Sequence, residues 1–573
     1  MRIQEFPNPQ FERKTWESLN GEWDFQILSP ELGEKRKINV PFCPESESSG
    51  INHKDFIKEC VYTRSFNVNK LNGKKLFLHF GAVYYEAEIL INGKKVGRHF
   101  GGYTPFSFDI TDLVDDGENM LSVHVYSDLT ANQPSGKQSR KPHSYGCFYT
   151  RSTGIWQTVW LEYLPEKYVR SVKYYPHIDE SSVDVELRVE DEGEITVEVY
   201  YDGKRVGSVK EYIKCKGVYT VKLSERHLWE AFNGRLYTVK IIYGEDEVQS
   251  YFGLREVKFD GMDFLLNGKS VFQSFVLNQG YYPKGVYTPQ NDEERLLDIH
   301  NAIELGFNGL RLHQKVFDPR YLYLCDKMGY MVWGEFASWG IKYDTLDGLG
   351  TFLGEWTEVV ERDFNHPSII LWCPLNETWR DLDDDRKTRD VRFIDSVYQV
   401  TKALDSTRPC VDVSGGYHGA DTDLYDFHCY ESYENLKGYL DRLEQKDELD
   451  VPLLYDKDEK TLVYKKGLPV NVSEFGGIMF SKNKVESKVS SVNEGAVQST
   501  ESWGYGEGEA DENSFAQRYK DLVELIKSYK KISGFCYTQL YDVEQEENGF
   551  FTYDRKPKFS KSAMEILCSC NRK

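Results

Sequence analysis

The chain has 573 residues with a formal net charge of −21, and 40% of its residues are hydrophobic. This composition excludes a disordered chain, and the negative charge argues against nucleic acids and anionic membranes as partners. The length predicts about three or four domains, and no apolar run of about 18 residues is present to span a membrane. No secretory signal sequence is visible and the 11 cysteines are scattered, which predicts a reduced, cytoplasmic protein.

The first 164 residues break into short strand-like segments separated by turns. Residues 61–68 alternate between apolar and polar side chains, and Asn92-Gly93 is a typical two-residue hairpin turn. Residues 154–162 read as the last strand of this region. Many strands with few helical periods predict a jelly-roll sandwich over residues 1–164.

Residues 165–254 alternate strongly again. Examples are 183–189 and 236–242, and Asp202-Gly203 indicates a further hairpin. About seven such segments in a short stretch predict an immunoglobulin-like β-sandwich. The Cys…Trp…Cys pattern of antibody domains is missing, so the prediction is a fibronectin-like relative. This domain is predicted to be a scaffold without chemistry of its own.

From residue 255 onward, helical stretches alternate with short apolar runs. Residues 291–305 form an amphipathic pattern with an acidic first turn, and Gly306 ends it. Residues 308–312 then read as a strand, and the rhythm continues to the end of the chain. Repeated βα units over about 300 residues predict a (β/α)8 TIM barrel across residues 255–573.

Polar residues follow the predicted barrel strands where the strands end. Because the carboxyl ends of parallel barrel strands meet on one face, these residues are predicted to form one site. They are Arg311, His313, Glu335, Asn376, Glu377, His428, Tyr430, Glu474 and Tyr537. Trp339, Trp379 and Trp503 lie in loops and are candidates for an aromatic platform under a sugar ring.

Glu377 and Glu474 give this set its chemistry. Two carboxylates across a pocket cleave glycosidic bonds, one as proton donor and the other as nucleophile or base. Asn376 is predicted to bind a sugar hydroxyl, while Arg311 and Tyr430 are predicted to hold one carboxylate ionised. A simpler interpretation exists for each residue alone, because strand-end carboxylates and histidines are commonly ion-paired or core groups. The joint pattern favours a site, and its remaining residues are predicted to bind substrate.

The chain resembles glycoside hydrolase family 2, the family of β-galactosidases, β-glucuronidases and β-mannosidases, over nearly its whole length. The resemblance rests on Asn376-Glu377, on Ser473-Glu474-Phe475-Gly476-Gly477 and on segments 19–25, 80–86, 92–97, 102–106, 152–160, 264–269, 306–311 and 366–368. The family's domains are a sugar-binding-like jelly roll, an immunoglobulin-like sandwich and a TIM barrel. That order is the one predicted from the patterns above.

The resemblance implies roles for the two carboxylates. Glu377, after the fourth barrel strand, matches the family's general acid/base, and Glu474, after the seventh, matches its nucleophile. The implied reaction is hydrolysis of a carbohydrate with retained configuration through a covalent glycosyl-enzyme. The two carboxyl groups should then lie about 5–5.5 Å apart, because inverting enzymes keep about 6.5–9.5 Å.

The sugar is less clearly specified by the resemblance. Glucuronidases of the family carry an Asn-x-Lys pair that holds the substrate carboxylate, whereas here the matching stretch is Glu546-Glu547-Asn548, without a lysine. This predicts a terminal neutral sugar, with a β-galactoside favoured over arabinosides, glucosides, fucosides or glucuronides. No ligand pair for a metal is found near Glu377, so no metal or cofactor is expected. Segment 313–320 also departs from the family's usual His-Tyr-Pro.

A long polar segment at 481–513 follows Glu474. Trp503 and Tyr505 are its aromatic part, and it is predicted to form one wall of the aglycone side. Three alternatives stay open: a catalytically inactive carbohydrate-binding protein, an endo-acting enzyme and a transglycosylating enzyme. A homo-oligomer is possible on the resemblance, since barrel-bearing relatives often self-associate.

Overall fold

The protein is described by a computed structural model that covers residues 6–129, 132–378, 390–453, 456–460, 464–481, 500–506, 508–509 and 511–572. The chain folds in the predicted order of two β-sandwiches followed by a barrel. Within these ranges, no helix is long and apolar enough to cross a membrane. The domain limits 1–164, 165–254 and 255–573 stay predictions.

The N-terminal domain is a sandwich of two antiparallel sheets, as predicted. Its strands are β1 (Trp16–Ser18), β2 (Gly21–Ser29), β3 (Arg36–Val40), β4 (Glu59–Val68), β5 (Lys75–Phe80), β6 (Val83–Tyr84), β7 (Glu86–Ile91), β8 (Lys94–Phe100), β9 (Phe106–Asp109), β10 (Gly117–Tyr126), β11 (Gly154–Ile155) and β12 (Val159–Leu164). The sheets have the orders β1-β12-β5-β9 and β3-β2-β4-β10-β7-β8, and β11 pairs with β6. Alternating apolar residues of both sheets fill the space between them.

The predicted last strand at 154–162 is wrong in one respect, because it is broken into β11 and β12. Trp156 leaves the sheet between them and packs against Tyr287 of the barrel, with ring centroids 5.2 Å apart. Burial of this large ring between domains outweighs the ladder hydrogen bonds that a continuous strand would gain. The strand therefore ends where the jelly roll meets the barrel.

The second domain is the predicted seven-stranded sandwich. Its strands are β13 (Val169–His177), β14 (Ser182–Val189), β15 (Gly193–Tyr201), β16 (Lys204–Ile213), β17 (Lys216–Lys222), β18 (Tyr237–Tyr243) and β19 (Asp246–Phe252). They form sheets of order β13-β14-β17 and β16-β15-β18-β19 around an apolar core. Both predicted hairpin turns are confirmed, since Asn92-Gly93 and Asp202-Gly203 have positive φ angles, as a type I′ turn requires.

A small antiparallel sheet precedes the barrel and packs against its amino-terminal end. It consists of β20 (Val257–Asp260), β21 (Asp263–Leu266) and β22 (Lys269–Ser270). Phe264 and Leu266 of this sheet belong to the same buried cluster as Phe275 and Trp333 of the barrel strands. This end of the barrel is therefore closed by apolar packing.

The C-terminal domain is the predicted barrel. Its strands are β23 (Gln273–Asn278), β24 (Gly309–Leu312), β25 (Met331–Glu335), β26 (Ile369–Cys373), β27 (Leu375–Asn376), β28 (Val413–Ser414), β29 (Tyr425–Cys429), the hairpin strands β30 (Pro452–Leu453) and β31 (Asp456–Lys460), β32 (Val470–Phe475) and β33 (Ile532–Tyr537). Seven strands form one parallel sheet in the order β26-β25-β24-β23-β33-β32-β29. The strand β27 continues β26 and pairs with β28, which fills the fifth barrel position.

Helices alternate with these strands. They are α1 (Asp292–Glu304), α2 (Pro319–Met328), α3 (Leu346–Asp363), α4 (Val391–Leu404), α5 (Tyr433–Lys446), α6 (Glu512–Lys527) and α7 (Lys561–Arg572). The predicted helix at 291–305 is confirmed as α1, and Asn291 caps its N-terminus. Asp318 caps the N-terminus of α2, and Gly329 ends α2 in the left-handed conformation. Because the barrel strands pair in parallel, their carboxyl ends lie on the same face of the barrel.

Candidate active site

The carboxyl ends of the barrel strands bring most of the predicted residues into one buried cluster. Arg311 comes from β24, Glu335 from β25, Asn376 from β27, His428 from β29 and Glu474 from β32. Each of these side chains has less than a tenth of its surface exposed. Positions up to 163 residues apart in sequence thus share one polar site.

Arg311 joins three of the other groups directly. Its Nε donates to Glu335 Oε2 at 2.6 Å, its Nη1 to Glu474 Oε1 at 2.9 Å, and its Nη2 to Asn376 Oδ1 at 2.6 Å. Burial disfavours the charged guanidinium, but the Glu335 and Glu474 carboxylates outweigh burial and raise the pKa of Arg311. A permanent cation therefore lies against Glu474.

Glu377 and Glu474 approach each other closely. An oxygen of each carboxylate and a nitrogen of His428 all lie within 4.8 Å of one another. The Tyr430 hydroxyl also donates to Glu474 Oε2. Burial, followed by the charge of Glu474, raises the pKa of Tyr430, so this phenol stays a donor. Glu474 thus receives hydrogen bonds on both oxygens.

The same three groups have a spacing that a metal ion accepts. However, the Arg311 Nη1 atom lies 2.9 Å from Glu474 Oε1 and 3.3 Å from His428 Nε2. A cation bound there would face this guanidinium, and the repulsion would weaken its binding. The absence of a required metal stays a prediction.

Glu335 and His313 lie behind Arg311. The Nδ1 atom of His313 is 2.9 Å from Glu335 Oε1, and the backbone nitrogen of Gln314 donates to the same oxygen at 3.0 Å. The Glu335 side chain has no exposed surface. Burial, aided by the nearby charge of Lys137, lowers the pKa of His313. These contacts hold Glu335, and through it Arg311, in place. Asn376, Glu377 and Glu474 lie on the other side of Arg311.

Aromatic residues form one wall beside the carboxylates. Trp339, Tyr430 and Trp503 belong to a buried cluster with Tyr505, and the Tyr430 and Tyr505 rings stack at a centroid distance of 3.5 Å. The Trp339 Nε1 atom donates to the Asn376 carbonyl at 3.1 Å. The predictions for Trp379 and for most of 481–513 lie outside the described residues.

Tyr537 does not join this polar cluster, which corrects its predicted role in substrate binding. Its ring packs against Phe475 and Phe550, and the residue has no exposed surface. Its hydroxyl accepts from the backbone nitrogen of Ile478 at 3.1 Å and donates to the Asn548 carbonyl at 3.3 Å. Tyr537 therefore supports the loop after Glu474.

A jelly-roll segment, 135–149, reaches over the barrel and was missed by the sequence reasoning. The Ser135 nitrogen donates to the Trp339 carbonyl at 2.7 Å, and Tyr149 donates to Glu546. A side chain on Gly136 would clash with the Gln314 carbonyl, so only glycine allows this approach. The approach depends on how two domains pack, which no local pattern reveals.

Lys137 is the residue that this segment brings to the site. It is 5% exposed, and its ammonium nitrogen lies 5.6 Å from the centre of the Trp339 ring and 5.8 Å from that of Tyr149. Within the described part of the chain, this ammonium group makes no hydrogen bond and no ion pair. A largely buried cation held over aromatic rings beside a polar site is a candidate for contact with a ligand.

The end of the site near β33 carries a buried carboxylate instead of a lysine. Glu546 accepts hydrogen bonds from Tyr149 and from Asn548 Nδ2, the latter at 3.0 Å. Gln539 in turn donates to Asn548 Oδ1 at 2.8 Å. Glu546, Asn548 and Gln539 are thus linked by hydrogen bonds. The stretch 546–548 itself contains two glutamates and an asparagine.

Three family descriptions match the chain in succession. The first, "Glycosyl hydrolase 2 galactose-binding domain-like", covers residues 28–174. The second, "Glycosyl hydrolases family 2", covers residues 167–255, and the third, "Glycosyl hydrolases family 2, TIM barrel domain", covers residues 263–566. They follow the order of the three domains of the structure.

Individual relatives are distant. A beta-galactosidase of Thermoanaerobacterium thermosulfurigenes is 26% identical over 459 residues, covering 75% of this chain and 59% of that protein. A beta-glucuronidase of Streptococcus agalactiae is 26% identical over 367 residues, covering 56% of this chain and 59% of that protein. The chain thus spans about three fifths of the length of these relatives.

Solved structures share the whole fold at low sequence identity. A GH2 beta-galacturonidase from Eisenbergiella tayi bound to galacturonate has a TM-score of 0.75 and 20% identity, with 99% of each chain covered. A β-glucuronidase from Ruminococcus gnavus in complex with uronic isofagomine has a TM-score of 0.78 and 17% identity, covering 99% of this chain and 100% of that chain. The barrel description alone spans residues 263–566, more than half of the 573 residues, so the chain belongs to glycoside hydrolase family 2.

Proposed function

We propose that this protein is an exo-acting glycosidase that hydrolyses β-glycosides with retention of configuration through a covalent glycosyl-enzyme. The observation that carries the proposal is the approach of Glu377 and Glu474 oxygens to within 4.8 Å. Retaining enzymes keep their carboxyl groups about 5–5.5 Å apart, whereas inverting enzymes need about 6.5–9.5 Å to admit a water molecule. The short spacing therefore supports a nucleophile and an acid/base.

Glu474 is the nucleophile in this proposal. Its oxygen bonds to the anomeric carbon while the bond to the leaving oxygen breaks, and Glu377 gives its proton to that oxygen. Arg311 and the Tyr430 hydroxyl stabilise the Glu474 carboxylate before attack. In the second step, Glu377 takes a proton from water, the water oxygen bonds to the anomeric carbon, and Glu474 is released as a carboxylate.

Asn376 is suited to hold a hydroxyl beside the reacting carbon. Its Oδ1 is fixed by Arg311 at 2.6 Å, and its Nδ2 has no hydrogen-bond partner among the described residues. A buried amide without a partner is costly, and a sugar hydroxyl would satisfy it. This contact would orient the ring for attack by Glu474.

The proposed glycone is a terminal neutral sugar, with a β-galactoside as the first candidate. Its support is the buried Glu546, whose carboxylate would repel a uronic acid at that end of the site. Arabinosides, glucosides, fucosides and glucuronides are the alternatives within the family. We also propose that the protein is cytoplasmic and that it forms a homo-oligomer.

A panel of nitrophenyl glycosides, both α and β and both pyranose and furanose, tests this function. Wild type should cleave β-glycosides, and Glu474→Ala and Glu377→Gln should lose activity by factors on the order of 10³ or more. Glu304→Gln, a carboxylate exposed on α1, is the control and should keep full activity. A wild-type protein that binds sugars without turning them over would instead be the carbohydrate-binding alternative.

A further inference from the structure

A continuous chain of buried polar groups lies behind Glu377, on the fifth and sixth barrel positions. Glu377 is the one member of this chain to which the proposed reaction gives a role. All of them are at most 7% exposed. In order from the back of the barrel to the site, they are Asp412, His418, Asp426, Ser414, His428 and Glu377.

The back of the chain is an ionic triad. The Nδ1 atom of His418 lies 2.7 Å from Asp412 Oδ1, and its Nε2 lies 2.9 Å from the Asp426 carbonyl and 3.7 Å from Asp426 Oδ1. Burial alone would lower the pKa of His418, but Asp412 and Asp426 outweigh burial and raise it to about 9. A charged imidazolium therefore lies against Asp426.

Ser414 fixes the direction of the next hydrogen bond. Its Oγ donates to Asp426 Oδ2 at 2.6 Å and also lies 3.1 Å from Ser473 Oγ. The lone pairs of Ser414 Oγ then face His428 Nε2, which lies 3.2 Å away. The Nε2 atom of His428 is thereby set as a donor to Ser414.

Arg311 Nη1 also lies within hydrogen-bond distance of His428 Nε2, and we infer that it is the weaker partner of the two. Its Nη1 lies 3.3 Å from His428 Nε2, but its two hydrogens have nearer acceptors in Glu474 Oε1 at 2.9 Å and the Ser473 carbonyl at 3.2 Å. With the proton of a neutral imidazole on Nε2, Nδ1 carries a lone pair. That lone pair points at Glu377 Oε1 at 2.6 Å.

At this distance the Nδ1 lone pair needs a donor, and Glu377 supplies one only as a carboxylic acid. We propose that the chain from Asp412 to His428 keeps the general acid Glu377 protonated between turnovers, with His428 as its positioning residue. This rests on the proposed function of Glu377. It assigns Ser414 and Asp426 to orienting the imidazole rather than to touching the sugar.

The imidazole itself is poorly suited to take the proton. Burial lowers the pKa of His428 to about 4. The nearby Glu474 carboxylate acts to raise this pKa, and the Arg311 guanidinium acts with burial to lower it. Among the described residues, the charged and titratable groups that act on His428 or lie beside Glu377 come from several elements, and they include Arg311, Glu335, Asp426, Tyr430 and Glu474. Because these charges act on His428 in opposite directions, burial decides that it stays neutral.

The loop after β28 is shaped around the His428 ring. A side chain on Gly415 would clash with the imidazole, and Gly415 has a φ of +62°. The Gly415 nitrogen also donates to Asp426 Oδ1 at 3.1 Å. Backbone, ring and carboxylate are thus fitted together, so that the imidazole cannot easily turn over.

The test is Ser414→Ala, with Ser533→Ala as its control. Ser533 is also buried and hydrogen-bonded, to the Val470 carbonyl at 3.1 Å, but lies at the start of β33 on the opposite end of the barrel. The readout is kcat/KM against pH for two aryl β-glycosides, one with a dinitrophenyl leaving group and one with phenyl. Only the phenyl substrate needs a proton from Glu377 to leave.

For Ser414→Ala we expect the alkaline limb of kcat/KM to move by about one unit to lower pH, since Glu377 would lose its acceptor. Cleavage of the phenyl glycoside at neutral pH should fall at least about tenfold, with the dinitrophenyl glycoside within about twofold of wild type. Equal losses on both substrates, or an unmoved alkaline limb, would overturn the inference. Ser533→Ala should match wild type in the position of the alkaline limb and in the rates on the two substrates.

A measurement on the wild type keeps the inference testable if Ser414→Ala fails to fold. Neutron diffraction should find deuterium on His428 Nε2 and on Glu377, and none on His428 Nδ1. Deuterium on Nδ1 would overturn the inference while leaving the glycosidase in place. If Glu377→Gln showed no preference for the dinitrophenyl substrate, Glu377 would not be the acid, and the proposed function would fail together with the inference.

Discussion

At the scale of single residues, Arg311 organises the site. It is fully buried and pairs with Glu335 and Glu474, while its remaining nitrogen binds Asn376. A buried cation between two carboxylates is tolerated only when its hydrogen bonds are satisfied, which is the case here. The positions of the Glu474 carboxylate and of the Asn376 amide therefore depend on the same side chain.

Lys137 is the residue whose role is most open to test. Lys137→Met keeps the aliphatic stem and removes the ammonium group. If this cation binds the glycone, KM should rise by about 10-fold or more with little change in kcat, since a hydrogen bond to a charged group contributes about 1.5–3 kcal/mol. Steady-state kinetics on the preferred nitrophenyl glycoside measure the effect.

Lys58→Met is the matched control for Lys137→Met. Lys58 belongs to the same domain and is exposed, so the change in net charge is the same without a change at the site. Its KM should equal that of wild type. An unchanged KM in Lys137→Met would show that the buried ammonium does not contact the sugar.

At the scale of elements, the strand ends carry the site. The βα rhythm alone predicted that Arg311, Glu335, Glu377 and Glu474 would converge, because every parallel strand ends on one face. Tyr537 shows the limit of this reasoning. It stands at the end of β33, yet its hydroxyl is taken by backbone groups and its ring by the core. A strand end fixes a position and not the direction of a side chain.

Ser414 and Asp426 show a second limit. Both lie in short apolar strands, so the pattern indicates only that they are buried. Their hydrogen bond at 2.6 Å depends on how the fifth and sixth barrel positions stand beside each other. Neither sequence spacing nor composition contains that information.

Gly136→Ala tests how the segment 135–149 reaches the site. Its φ is +56°, and a Cβ atom there would clash with the Gln314 carbonyl. We expect the segment to move away from the barrel, which withdraws Lys137 and raises KM. Gly203→Ala is the control, because Gly203 also has a positive φ, +75°, but has no atom within 4 Å of a Cβ.

The two glycine variants should share the cost of the left-handed conformation, about 1–2 kcal/mol of stability. Only Gly136→Ala should change KM. Thermal unfolding compares their stabilities, and steady-state kinetics compare their activities. Equal kinetics in both variants would contradict a role of this approach in binding.

At the scale of the whole molecule, the jelly roll packs against the barrel beside the candidate site. Beyond the segment 135–149, Glu355 of α3 accepts hydrogen bonds from the backbone nitrogens of Gly102 and Tyr103, at 2.8 and 3.3 Å. Burial, despite these hydrogen bonds, raises the pKa of Glu355 to about 8. The family resemblance predicted the order of the domains, but such contacts depend on the full tertiary structure.

The barrel's two carboxylates remain the centre of this arrangement, and trapping the covalent intermediate tests them most directly. A 2-deoxy-2-fluoro β-glycoside with a dinitrophenyl leaving group, of the sugar that wild type prefers, should inactivate the protein with one glycosyl group per chain. Peptide mass spectrometry should place the group on Glu474, and proton NMR of normal turnover should show the β-anomer formed first. A label on another residue, or an inverted first product, would contradict the account.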